Sequence, residues 1–349
     1  MAAAQINGAG NMARFLARIR LFIGLLAVCS VVVFTSPGQA QQQGMLIDPD
    51  ASAVNEQTLL RQSPRIEGEI VIPDQRESVL IQPAGRAWRY FHETILPWLD
   101  AIVIAATLAA LLAAYLLLGP IRISAGRSDR KVPRFSAVER FVHWLTAVSF
   151  IILGLTGLNM IFGKRLLMPL IGDETFGVFS QDAKYIHDFM NFPFVMGIML
   201  IAALWLKDNI PERLDLEWFR QGGGFIGSKN PPARRFNAGE KVVFWLALGA
   251  GAAVSISGYL MLFPFYVTNI VGMQIAQVIH SIVAILFISL ILGHIYIGTL
   301  GMEGAFEGMW TGEVDFNWAK EHHSLWLEEE LAEDRHIGAA PHLSSTSVS

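Results

Sequence analysis

Five long apolar stretches, near residues 97–119, 141–162, 188–206, 242–263 and 276–300, constrain this chain more than any other feature. At about 1.5 Å per residue, each can cross a hydrocarbon layer roughly 30 Å thick. Lipid offers no hydrogen bonds to a backbone, so such segments must be helical. Composition agrees: 53% of residues are hydrophobic and only 16% charged, whereas soluble domains carry about 25% charged residues. A formal net charge of -4 leaves no basic surface for nucleic acid, which is excluded as a partner. Membrane lipid is expected instead.

Charges flanking the stretches give an orientation. Loop 119–141 contains six Lys or Arg and loop 207–241 contains seven, against three in 163–187 and none in 264–275. Short loops rich in these residues stay in the cytoplasm. The expected topology is a multi-pass protein of a bacterial inner membrane, with a periplasmic mature N-terminus and a cytoplasmic C-terminus. Arg14, Arg18 and Arg20 precede the apolar run 21–34, which leads into Ser36-Pro37-Gly38-Gln39-Ala40, so residues 1–40 read as a signal peptide. An uncleaved anchor is the alternative, although the run is short for a span. Residues 41–94 read as a polar exported segment, 95–120 as an additional transmembrane helix, 134–302 as a four-helix core and 303–349 as a cytoplasmic tail. Trp310, Trp318 and Trp326 in that tail suit an amphipathic helix at the membrane surface, a subunit contact or an ordinary solvated helix.

The single cysteine, Cys29, lies within the signal. Disulfides, Cys-ligated iron–sulfur clusters and covalent haem attachment are thereby excluded for the processed chain. Any redox centre must rest on His or Met, or on a separate subunit. Four of the nine histidines, His143, His187, His280 and His294, fall in or at the ends of the apolar stretches. Ionisable residues at such depth are costly and point to function, although any one alone is equally explained by a hydrogen bond to a neighbouring helix.

Their joint placement is more informative. His280 and His294 are fourteen residues apart on the last span, which leaves them about 40° from alignment and about 21 Å apart along the axis. With the orientation above, depth pairs His143 with His294 near the cytoplasm and His187 with His280 near the exported surface. Two imidazoles from facing helices are what a six-coordinate b haem requires, so the pattern predicts two haem b groups. A metal-ion site is the rival, but tight sites gather three or four ligands in one shell. Gly154, Gly157, Gly249, Gly251, Gly258, Gly293, Gly298 and Gly301 could admit a flat macrocycle, and close helix packing explains them equally well.

Several motifs together resemble the cytochrome b556 (gamma) subunit family of respiratory formate dehydrogenases, within the wider group of four-helix di-haem cytochromes b. They are Glu139-Arg140-Phe141-Val142-His143-Trp144, Ile186-His187-Asp188-Phe189, Asn209-Ile210-Pro211, Phe236-Asn237-Ala238-Gly239-Glu240-Lys241 and Trp318-Ala319-Lys320-Glu321-His322-His323. The resemblance implies a four-helix transmembrane di-haem cytochrome b bundle, here with one extra N-terminal transmembrane helix. It implies the same ligand pairs, His143/His294 and His187/His280. It also implies a quinone site at Asn237 and Gly239, where the residues alone read as a helix start, with Asn as cap and Gly for backbone freedom.

The implied function is that of a non-catalytic membrane subunit passing electrons from an iron–sulfur (beta) subunit to quinone, beside a molybdenum or tungsten catalytic (alpha) subunit. A cytochrome b subunit of a nickel–iron hydrogenase or thiosulfate reductase, or a non-redox histidine-containing transporter, are the alternative readings. His322 and His323, beyond the last span, read as tail contacts with the iron–sulfur partner or lipid head groups.

Overall fold

The computed structural model describes residues 67–69, 79–81, 85–223 and 231–338. The signal at 1–40 and most of the segment 41–94 lie outside them. Among the described residues, five helices are long and apolar enough to cross a membrane: Ala87–Leu117, Ala137–Leu166, Asp173–Trp205, Ala238–Leu262 and Ile270–Gly301. The protein is an all-α membrane bundle, and each span begins ahead of the apolar stretch that announced it. In particular, the third begins at Asp173, so His187 lies well inside a helix rather than at its start.

Two compact units make up the chain. Of the described residues, the first comprises those up to 105 together with 158–182 and 264–274. It contains strands β1 (Glu67–Glu69) and β2 (Val79–Ile81), paired antiparallel with Gly68 opposite Leu80. It also contains helix α1 (Gly85–Tyr90), a π-helical turn over Phe91–Ile95 and the start of α2 (Leu96–Leu117). The first spanning helix thus begins inside the stretch read as exported segment. Within this unit Arg165 Nη2 donates to the Glu93 carbonyl at 2.5 Å, and Asn159 Nδ2 donates to Ser180 Oγ at 3.3 Å.

The second unit holds the core of the four remaining spans. These are α3 (Ala137–Leu166), α5 (Asp173–Trp205, after the short α4, Met168–Ile171), α7 (Ala238–Leu262, after α6, Arg213–Arg220) and α8 (Ile270–Tyr296). Without a hydrophobic drive between helices in lipid, small residues set the contacts. A Cβ on Gly197 of α5 would collide with the Thr146 hydroxyl of α3 and come within 3.2 Å of its Cα; one on Gly251 of α7 would meet Ile198 at 3.0 Å. Phe150, Phe194 and Phe287, from α3, α5 and α8, fill the middle, the first and last with ring centres 4.6 Å apart.

Beyond α8, a π-helical turn (Ile297–Gly301) leads to α9 (Ala305–Trp310), strand β4 (Glu313–Asp315), α10 (Phe316–His322) and α11 (Ser324–Gly338). β4 pairs antiparallel with β3 (Lys131–Pro133), placing Val314 opposite Val132. Asp315 caps α10, accepting from the amides of Asn317 at 2.8 Å and Trp318 at 3.2 Å. Trp318 and Trp326 are buried with Ile123, Val132, Val314 and Leu327 in a core of their own. Trp318 and Trp326 are therefore core residues rather than the face of a free amphipathic or solvated helix, whereas Trp310 is exposed. His323 is completely buried, so reading it as a contact to a partner or to lipid head groups is corrected: its neighbours are Arg134 and Trp318 of this chain.

Candidate functional site

Helix periodicity brings the four span histidines together in twos. His187 of α5 and His280 of α8 have ring centres 6.2 Å apart. His143 of α3 and His294 of α8 also stand at 6.2 Å. An imidazole nitrogen sits about 2 Å from a transition metal it ligates and about 1 Å from its own ring centre, so two rings on opposite sides of one iron are centred about 6 Å apart. Both pairs fit that separation. Among the described residues, no group of three or more His, Cys, Asp or Glu converges as an ion shell would require.

The surroundings of the rings bear on which nitrogen faces inward. Thr156 Oγ1, on α3, donates to the carbonyl of Ile152 at 2.7 Å and lies 2.9 Å from His187 Nδ1. With its one proton directed to the backbone, this hydroxyl accepts from Nδ1–H, leaving Nε2 as the ring's lone-pair nitrogen. Ser257 Oγ, on α7, repeats the arrangement: it donates to Ala253 O at 2.7 Å and lies 3.1 Å from His280 Nδ1. Each ring also rests against a glycine, since a Cβ on Gly157 would meet His187 Cε1 at 3.5 Å and one on Gly258 would meet His280 Cε1 at 3.4 Å.

His143 differs: among the described residues its Nδ1 is buried without a hydrogen-bond partner, and its ring meets Trp144 edge-on at 5.4 Å. Trp144 in turn donates to the Met309 carbonyl at 3.0 Å. Ala137, Arg140, Phe141, Trp144, Met309 and Trp310 line an open cavity of about 380 Å³ next to it.

Asn237 is the N-cap of α7, with Oδ1 accepting from the Glu240 amide at 3.0 Å and Glu240 Oε2 accepting from the Asn237 amide at 2.8 Å. The capping reading of this motif holds. Gly239 serves a different purpose from backbone freedom: its φ is not positive, and a Cβ there would lie 3.1 Å from the Trp218 ring. Trp218 closes over this point, and the space lined by Trp218, Pro232 and Asn237 leaves no room for a water molecule.

The reading of the sequence missed Thr156 and Ser257. Their signal was present: Leu153-Gly154-Leu155-Thr156-Gly157 and Val254-Ser255-Ile256-Ser257-Gly258 carry the same hydroxyl–glycine pair on two different spans.

An apolar bundle with imidazoles facing each other inside it is the architecture of a membrane electron-transfer cytochrome of the b type. The profile described as prokaryotic cytochrome b561 matches residues 134–312, and the chain belongs to that family. The matched stretch begins after the first spanning helix and contains all four paired histidines. The chain is similar to the formate dehydrogenase cytochrome b556(fdo) subunit of Escherichia coli K12, 28% identical over 202 residues, covering 57% of this chain and 92% of that one. It is also similar to the nitrate-inducible cytochrome b556(Fdn) subunit of the same strain, 25% identical over 207 residues, 58% and 92% of the two chains. Against the formate dehydrogenase cytochrome b556 subunit of Haemophilus influenzae it is 28% identical over 213 residues, 58% of this chain and 85% of the other.

Proposed function

We propose that this chain is the membrane subunit of a respiratory formate dehydrogenase, itself without formate chemistry. It would carry electrons from an iron–sulfur subunit, fed by a molybdenum or tungsten catalytic subunit, to quinone on the cytoplasmic side. The observation that carries the reading is the double pairing of histidines at 6.2 Å in a chain similar to proteins bearing that name.

His187 and His280 would hold one haem b toward the exported side, and His143 and His294 a second toward the cytoplasm. A haem bound by two imidazoles supplies a one-electron carrier. The protein's own contribution is to fix the rings, keep the interior apolar and set the two sites about 21 Å apart along α8. Asn237 keeps Oδ1 for the helix cap, and its amide nitrogen is the donor offered to a quinone carbonyl, with Trp218 swung away from Gly239. The abundance of Lys and Arg in 119–141 and 207–241 supports a cytoplasmic position for this end. Moving each electron inward against 100 mV conserves about 2.3 kcal/mol.

The test is to isolate the full chain with its native partners and record reduced-minus-oxidised spectra. Formate should reduce b-type bands that quinone reoxidises. Reduction by hydrogen and not by formate would overturn the proposed donor, and the absence of b-type bands would overturn the haem sites.

A further inference from the structure

Hydroxyls that bond back to their own helix are common in membrane spans, and among the described residues Thr146, Ser149, Ser255 and Thr299 do so without a hydrogen bond to an imidazole. Thr156 and Ser257 stand apart because two helices repeat one construction. On α3, Leu153, Thr156 and Gly157 face His187; on α7, Val254, Ser257 and Gly258 face His280. In both, the apolar residue's carbonyl also lies within reach of the ring, the hydroxyl three residues on contacts Nδ1, and the following glycine makes room for the ring.

We infer that Thr156 and Ser257 are positioning residues that fix the tautomer of His187 and His280 and set the reduction potential of the haem these two hold. This rests on the ligand assignment proposed above. The hydroxyl proton is committed to a backbone carbonyl, so the oxygen can only accept from Nδ1–H. An acceptor there makes Nε2 a stronger donor to iron, which favours the ferric state and lowers the potential. The arrangement serves one end of the bundle, since among the described residues no hydroxyl hydrogen-bonds to the rings of His143 or His294. Its effect should therefore fall on one haem and leave the other unchanged.

The experiment is a potentiometric titration of both b components, followed optically and by ferric low-spin EPR, on the complex carrying wild-type chain, Thr156→Val, Ser257→Ala, Thr156→Ser, Ser257→Thr or Ser255→Ala. His187→Ala identifies which component belongs to the His187/His280 pair. The expected result is an upward shift of that component alone in Thr156→Val and Ser257→Ala, wild-type values in Thr156→Ser and Ser257→Thr, and no change in Ser255→Ala. Loss of the haem in Thr156→Val with full retention in Thr156→Ser equally supports the role of the hydroxyl.

Unchanged midpoints with haem retained, equal shifts of both components, or failure of the hydroxyl-preserving variants to restore wild type would overturn it. A His187→Ala protein that keeps both haems would instead remove the ligand assignment, a result separate from any effect at Thr156 or Ser257.

Discussion

Arg134 Nη2 lies 3.1 Å from His323 Nε2, joining residues 189 positions apart in the sequence where both side chains are buried. His323 Nδ1 stands 2.8 Å from the Arg234 carbonyl and donates to it, so Nε2 carries the lone pair that accepts from Arg134. The guanidinium is further held by the Arg235 carbonyl at 2.9 Å and by the rings of Trp318 and Trp326, each 5.1 Å away. Burial lowers the Arg134 pKa to about 10, which leaves it charged at neutral pH.

Burial first, and the Arg134 charge second, hold His323 well below the ordinary histidine value of 6.5. The folded chain keeps this ring neutral, whereas the unfolded chain protonates it below about pH 6.5. The unfolded state then binds more protons, so stability rises with pH through that window and is lost as pH falls. Limited proteolysis of the C-terminal tail in detergent should show protection near pH 7.5 that weakens below pH 6. His323→Gln should flatten this dependence, and a wild-type tail equally protected at pH 5 would contradict it.

Gly197 and Gly249 provide a matched comparison. A methyl at Gly197 runs into Thr146, while one at Gly249 meets nothing within 4 Å. Gly197→Ala should destabilise by about 1–3 kcal/mol through overpacking, and Gly249→Ala should be neutral or stabilise by up to about 1 kcal/mol through helix propensity. Thermal unfolding of the two variants side by side measures the difference, and equal midpoints would show that the crossing of α3 and α5 is not set at Gly197.

Single ligand variants should divide haem content. His294→Ala is expected to leave about half of the wild-type haem and to abolish quinone reduction, and His187→Ala to leave the complementary half. Haem per polypeptide by pyridine haemochrome is the measurement. Loss of both haems or of neither from a folded His294→Ala protein would break the pairing.

At Asn237 the cap and the proposed quinone contact can be separated. Asp is as good a cap as Asn, whereas Ala costs about 1 kcal/mol. Asn237→Asp should therefore keep wild-type thermal stability but lose the amide donor, slowing quinone reduction at least tenfold. Wild-type turnover in Asn237→Asp would confine the residue to capping.

Hydropathy made the spans legible, and helical rise together with the orientation read from flanking charges put His143 at the depth of His294 and His187 at the depth of His280, because these signals are local to one helix or depend only on depth. The ends of α3 and α5 were not legible. Polar residues such as Lys164, Arg165 and Asp173 continue a helix past the point where hydropathy falls. The tail was misread for a different reason. Trp318, Trp326 and His323 look like a surface-seeking pattern until β3 and Arg134, far away in sequence, supply the other half of their core. Thr156 and Ser257 were overlooked because a lone hydroxyl on a span is ordinary. Only the repetition of hydroxyl–glycine on two spans, read together with the histidines they face, carries information.

Phe150, Phe194 and Phe287 have a consequence for what the bundle lets through. Phe287 lies seven residues from each of His280 and His294 on α8, close to two full turns either way, so the three rings occupy the level between the imidazole pairs. Tightly packed aromatic side chains offer few polar partners to anchor a file of water there. An electron can tunnel through such a layer of side chains, whereas a proton needs a file of hydrogen-bonding groups to hop along, so the same packing that separates the two imidazole pairs would favour the passage of one charge over the other.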